Sequence, residues 1–252
     1  MTAIRADAGR GWGWIVEGWQ LFAKAPGVWV VILLIYLAIS VVLSLIPLVG
    51  MIGHTLLNPV LAGGMLYGAA LQARGENLEI AHLFQGFRDQ ERMGPLIMLG
   101  LFSVGGYILM FVVFMIFVGG SVATGLALDS TGANMPNEAM GGILAGVGLI
   151  VMLIVITIGI LIAMALFYGV PLVMLGRQNA WPAVQASIAA CWINVLPLLV
   201  FGLIYMVLAI VAVIPFGLGL LVLGPVTACA IYASSREVYE EPPATTGSNL
   251  AK

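Results

Sequence analysis

Residues 11–47 read GWGWIVEGWQLFAKAPGVWVVILLIYLAISVVLSLIP, a tryptophan-rich stretch that breaks at Pro26-Gly27 and runs into an unbroken apolar segment. An α-helix rises 1.5 Å per residue, so about 20 apolar residues are needed to cross about 30 Å of hydrocarbon. The run from Val28 to Pro47 meets that length. Ahead of it, a wheel of about 100° per residue gathers Trp12, Ile15, Val16, Trp19, Phe22 and Ala23 on one face, with Glu17, Gln20 and Lys24 roughly opposite. This is the pattern of a helix lying along a membrane surface with its apolar face down. Pro26 ends it, because proline disfavours helical geometry in the residue before it.

The rest of the chain repeats that message. Of 252 residues, 62% are hydrophobic and only 8% charged, and the mean hydropathy is +1.13, far outside the range of a soluble domain. Six segments are long and apolar enough to span: about 28–47, 51–72, 95–118, 142–168, 195–214 and 217–235. The fourth apolar run extends from Gly141 to Gly176, too long for one crossing even when tilted. It is expected to bend at Tyr168-Gly169-Val170-Pro171, leaving 171–176 in the headgroup layer. The N-terminus carries no short apolar core with a small-residue cleavage site, so the first span is expected to act as the targeting signal.

Charge placement sets the orientation. With the N-terminus in the cytoplasm, Arg5, Arg10, Lys24, Arg74, Arg88, Arg92, Arg177, Arg236 and Lys252 all fall inside. The outside loops, about 47–51, 119–141 and 214–217, contain no Lys or Arg, and the longest offers only Asp129 and Glu138. The positive-inside rule therefore gives six spans with both termini cytoplasmic. The tail, 237–252, is polar and proline-bearing and is expected to be disordered.

The amphipathic device recurs before the third and fifth spans. Asn77 is placed to cap a helix carrying Ile80, Leu83, Phe84 and Phe87, with Glu79, His82 and Arg88 elsewhere. Asn179 and Pro182 mark a third start, with Trp181, Val184, Ile188 and Cys191 or Trp192 along one side. The expected architecture is a single integral membrane domain, 1–236: an all-α polytopic helix bundle of six transmembrane helices and three cytoplasmic interfacial helices. It divides into three units, about 8–74, 77–176 and 179–236. The first and third align at Ile46-Pro47 with Ile214-Pro215, Asn58-Pro59-Val60 with Gly224-Pro225-Val226, and Tyr67 with Tyr232, after small gaps. Since each unit starts and ends in the cytoplasm, such repeats are parallel about the membrane normal.

Function is less legible. Trp12, Trp14, Trp19, Trp29, Trp181 and Trp192 all fall at the predicted cytoplasmic interface, and with Phe22 they form a one-sided aromatic anchor. No predicted span holds Asp, Glu, Lys or Arg in its core, which weighs against an ion-coupled transporter. The most polar intramembrane group is His54, Thr55 and Asn58, next to Pro59, whose missing N–H frees the Thr55 carbonyl. Pro59, Pro171 and Pro225 are the expected helix kinks. The small residues of Ala62-Gly63-Gly64, Gly105-Gly106 and the Gly141-to-Gly148 run are read as sites of close helix contact. Cys191, Cys229, His54 and His82 lack the close spacing of a metal site, so no metal or cofactor is expected. Soluble-enzyme motifs are absent, and the nine Lys and Arg form no nucleic-acid stripe.

The opening Gly11-Trp12-Gly13-Trp14-Ile15-Val16-Glu17-Gly18-Trp19-Gln20-Leu21-Phe22, with Pro26-Gly27-Val28-Trp29 and Leu83-Phe84-Gln85-Gly86-Phe87-Arg88, resembles an uncharacterised family of proteobacterial inner-membrane proteins. More distantly, the alternation of surface helix and hairpin is similar to the membrane domain fused to some bacterial glycerophosphodiester phosphodiesterases. The chain has no soluble phosphodiesterase domain, so that activity does not follow. The resemblance implies an inner-membrane location and transfers no catalytic residue. The expected role is non-catalytic: binding of membrane lipid or a partner protein, another copy of the chain included, through the tryptophan-rich face. The alternative is a transporter or channel for a small neutral or lipid-like solute, with a path near His54 and Asn58.

Overall fold

The computed structural model describes residues 3–131 and 137–239, with side chains described over 3–124 and 146–239. Among these residues the chain is helical throughout, without a strand: α1 (Arg10–Lys24), α2 (Pro26–Ser44), α3 (Val49–Ala73), a 3-10 turn (Ile80–Phe84) leading into α4 (Gln85–Arg88), α5 (Gln90–Thr131), α6 (Asn137–Phe167), α7 (Gly169–Met174), α8 (Ala180–Ile193), α9 (Val195–Val213) and α10 (Leu220–Tyr239). Five stretches are long and apolar enough to cross a membrane: α2, α3, Gln90–Thr124, Gly146–Met174 and α9. The fold class is the expected all-α polytopic bundle.

Three boundaries differ from expectation. The stretch 119–141, read as a loop, is mostly helix, because α5 runs to Thr131 and α6 begins at Asn137; the side chains of Asp129 and Glu138 lie outside the described residues. The sixth expected span is a helix but falls short of the membrane-crossing set, since α10 carries Thr227, Ser234 and Ser235 and has Arg236 and Glu237 in its last turn. Protein rather than lipid surrounds much of it: Cys229, Ala230, Ala233 and Ser234 are buried, and hydroxyls are tolerated where neighbouring helices supply partners. The expected tail begins later, as α10 continues to Tyr239, and residues 240–252 lie outside the described ones.

The chain divides into two compact units, Leu101–Ala163 and the remainder. The smaller consists of the continuations of α5 and α6, which touch where Gly106 meets Ile162 and Gly148 meets Phe117. Such small residues let the two helices approach closely. The larger unit holds the remaining elements, with α3 packed against both α7 and α10.

In the larger unit each surface segment is seated on the return helix of the hairpin before it in cyclic order. The 3-10 turn and α4 lie on α3, α8 lies on α7, and α1 lies on α10. The seats are backbone contacts. A Cβ on Gly86 would stand 2.6 Å from the Val60 carbonyl oxygen, and one on Gly18 2.6 Å from the Val226 carbonyl oxygen. Only glycine admits such an approach. At the third seat Ser187 replaces the glycine: its Oγ accepts the Tyr168 N–H at 3.0 Å and donates to the Met164 carbonyl. In an unbroken helix those two groups would bond each other. The hydroxyl inserted between them accompanies the break between α6 and α7, at the step where a bend is expected. Beyond it, Leu172, Val173 and Met174 are buried in protein rather than lodged among headgroups.

The second surface segment is also built differently from its wheel. Glu79, not Asn77, is the N-cap, and the Glu79 N–H donates to His82 Nδ1 at 3.1 Å. The turn that follows is 3-10, so only Leu83 of its expected apolar face is fully buried, while Ile80 is exposed. At the opposite end of the hairpins, the turns after α2 and α9 each place the residue after a proline in the left-handed region, Leu48 at φ 59° and Phe216 at φ 53°. For a residue with a Cβ this conformation costs about 1 kcal/mol or more. Both side chains point outward.

The seat predicts a specific sensitivity. Gly18→Ala forces α1 off α10 and is expected to lower stability by about 1–3 kcal/mol. Gly202→Ala, in the interior of α9 with open space around it, is expected to be neutral or stabilising by up to about 1 kcal/mol. Thermal melts of the two variants in one detergent check the difference.

Candidate functional site

Helix α1 presents two apolar faces. Gly11, Trp14, Ile15, Gly18, Leu21 and Phe22 are buried, with Gly11 against the Pro197 carbonyl of α9 and Gly18 against Val226 and Ala230 of α10. The face that the wheel turned toward the membrane, with Trp12, Val16, Trp19 and Ala23, is a different one from this protein-packed seam. Glycine adds nothing to a hydropathy pattern, yet two glycines seven residues apart fix the line along which helices come closest. Trp14 lies on that line and is fully buried, its ring 6.5 Å from that of Phe201. It packs inside the protein.

Trp12 and Trp19, also seven residues apart, remain 55% and 53% exposed. Together with Ile15 and Val16 they form one wall of a groove of about 520 Å³; Leu208 and Val211 of α9 and Val222 of α10 belong to the other. Every side chain lining it is apolar, or is glycine or proline. The volume falls within the roughly 300–1,000 Å³ of small-molecule sites.

An ionic cluster borders the other side of α1. The Arg10 guanidinium donates to both Glu237 oxygens, at 2.6–2.9 Å, and to Glu17 Oε1 at 2.7 Å. The Trp14 indole N–H donates to Glu237 Oε2 at 2.8 Å, and Arg236 reaches Glu17 Oε2 at 3.3 Å. Burial alone would raise the Glu237 pKa, but the hydrogen bonds from Arg10 and Trp14 outweigh it and hold the carboxyl below its ordinary value. The same two carboxylates, Glu237 first, push the Arg10 guanidinium above its ordinary value, so it stays charged. The N-terminal segment is pinned nearby, where buried Asn194 accepts the Ala6 N–H and donates to the Ile4 carbonyl.

The other sequence-derived residues fall into different settings. Trp29 is fully buried and donates to Gln72 Oε1 at 3.0 Å, so it too is a core residue. Phe22 is buried beside Trp19. Trp181 and Trp192 project from α8, 57% and 73% exposed. The polar triplet does not converge. His54 Nε2 lies 3.1 Å from Ser40 Oγ of α2, Thr55 donates to the Met51 carbonyl of its own helix, and Asn58 is exposed. α3 and α10 continue through Pro59 and Pro225, while Pro171 sits in the short helix after the break. Both cysteines are free and buried, and burial pushes the Cys191 thiol up to about 12. Among the described residues no three His, Cys, Asp or Glu side chains group for a metal.

Sequence reading missed Glu237, Gln72, Ser187 and Asn194. Glu237 was assigned to a tail because Pro242-Pro243 follows shortly after. The spacing of Tyr232, Ser235 and Tyr239 is the available signal that the helix continues past Arg236.

The fold and this surface define a multi-pass, all-α membrane bundle. The chain is 28% identical over 221 residues to a protein of Burkholderia thailandensis described as a probable inner membrane protein, a match covering 83% of this chain and 77% of that relative. No family model matches the chain, and no solved structure matches it.

Because the Glu237 pKa is depressed in the fold, its contribution to stability is present above the unfolded carboxylate value of about 4.3 and is lost as pH falls through the folded value. Thermal midpoints followed from pH 6 to pH 3 are expected to fall less for Glu237→Gln than for the parent. At pH 6 the variant is expected to lose on the order of 1 kcal/mol, since the cluster is partly exposed.

Proposed function

We propose that this is a non-catalytic inner-membrane protein that holds a phospholipid acyl chain in the groove between α1, α9 and α10, with the α1 end of the bundle facing the cytoplasm. The groove is the observation that carries this reading. Its walls offer an apolar ligand only dispersion and burial, worth about 0.8 kcal/mol per buried CH₂, and offer a polar solute no partner. Trp12 and Trp19 edge it with rings whose N–H groups favour the membrane–water boundary. The orientation rests on the grouping of every Lys and Arg on one side of the predicted spans, and the inner-membrane assignment on the Burkholderia relative.

Leu208→Trp fills the groove from its α9 wall without touching the seat at Gly18. Protein purified in mild detergent is expected to carry phospholipid, and the variant to carry several-fold less at an unchanged thermal midpoint, measured by native mass spectrometry. Equal lipid on both proteins, or none on the parent, refutes the reading.

A further inference from the structure

We propose that a second, polar site binds a phosphate group where α3, α7 and α10 end. A pocket of about 140 Å³ lies there, lined by Arg74 after α3, by Leu175 and Gly176 after α7, and by Ser235, Arg236 and Tyr239 of α10. It is too small for a drug-sized ligand, whose pockets begin near about 300 Å³, and suits a compact oxyanion.

Among the described residues, two guanidinium groups at this pocket keep donors that their surroundings do not match. Helix C-termini ordinarily leave carbonyls that arginines can satisfy, but here several of the carbonyls at the ends of α3 and α7 are already engaged. Leu71 O accepts the N–H groups of Arg74 and Glu76, Gln72 O that of Gly75, Pro171 O those of Leu175 and Gly176, and Leu172 O that of Gln178. The two carboxylates of the ionic cluster are matched as well. Glu237 is held by Arg10 and Trp14, and Glu17 by Arg10 at 2.7 Å. Arg236 keeps only the 3.3 Å contact to Glu17 and a position 6.0 Å over the Tyr232 ring. That contact is longer than the 2.7–2.9 Å or so of a strong charge-assisted bond. The Arg74 side chain is exposed and has no acceptor among the described residues.

Arg10 and Arg236 face Glu17 and Glu237, and among the described residues Arg74 makes no ion pair with either carboxylate. Ser235 and Tyr239 give their hydroxyl protons to the Tyr232 and Ala186 carbonyls, so anion recognition falls to the two guanidinium forks, whose geometry matches phosphate oxygens. The phosphate comes either from a phospholipid headgroup or from solution. The site does not depend on the acyl groove.

The test uses the full chain in phosphatidylcholine nanodiscs, as parent, Arg74→Gln and Arg74→Lys. One arm titrates inorganic phosphate against chloride at equal ionic strength. The other adds phosphatidic acid to the bilayer at one part in five. A rise in thermal midpoint is expected for the parent in at least one arm, roughly tenfold weaker in apparent affinity for Arg74→Gln and partly kept in Arg74→Lys. A response to inorganic phosphate assigns a soluble ligand; a response to phosphatidic acid alone assigns a headgroup. No response in either arm, or a response of Arg74→Gln equal to the parent's, overturns the proposal. Leu208→Trp is expected to keep the parent's response, which separates failure of this site from failure of the groove.

Discussion

Three backbone positions carry the larger unit: the carbonyls of Val60 and Val226, each approached by a glycine, and the Met164–Tyr168 step entered by Ser187. In an apolar medium a backbone group cannot turn to water, so wherever two elements come this close one of them must withdraw its side chain or supply a hydrogen bond. The first two seats withdraw a side chain and the third supplies a hydroxyl. The elements around them follow from this choice. With α1 set at Gly11 and Gly18, Trp14 is carried into the core, Glu17 is directed at Arg10 and Arg236, and Trp12 and Trp19 are left over the groove.

The groove and the ionic cluster are therefore two sides of one helix placement. A tryptophan at position 14 has its N–H taken by Glu237 and its ring by Phe201, while the tryptophans at 12 and 19 keep their faces open. Three indoles in eight residues thus have separate jobs, and the division is made by which side of α1 the glycines occupy.

How much of this could be read from the sequence follows the same line. Hydropathy located five membrane-length helices and the bend near Tyr168, because both depend on length and on a long apolar run that must end. It did not reveal the seam of α1, because glycine is silent on a hydropathy wheel and decisive in packing. It overstated the apolarity of α10, whose polar residues have protein partners: Ser234 meets the Tyr168 hydroxyl, and Glu237 meets Arg10. The candidate polar site at His54 was read from residue type, helical spacing and the proline beside it; in three dimensions its members turn to different neighbours. The match of Asn58-Pro59-Val60 with Gly224-Pro225-Val226 did mark a shared property, since Val60 and Val226 both receive a glycine of a surface segment.

The cyclic seating also bears on how the chain is made. α1 precedes its seat, α10, by about 200 residues in the sequence, so it is synthesised well before the helix it docks on. Until that helix arrives, the Gly11–Gly18 seam and Arg10 have no counterpart, and the ring of surface segments stays open by one member. The α1–α10 contact is a long-range event that waits for α10, and the tryptophans of α1 can shelter in the bilayer surface during the interval. A truncation before α10 thus removes more than one helix: it leaves α1 without a place to dock.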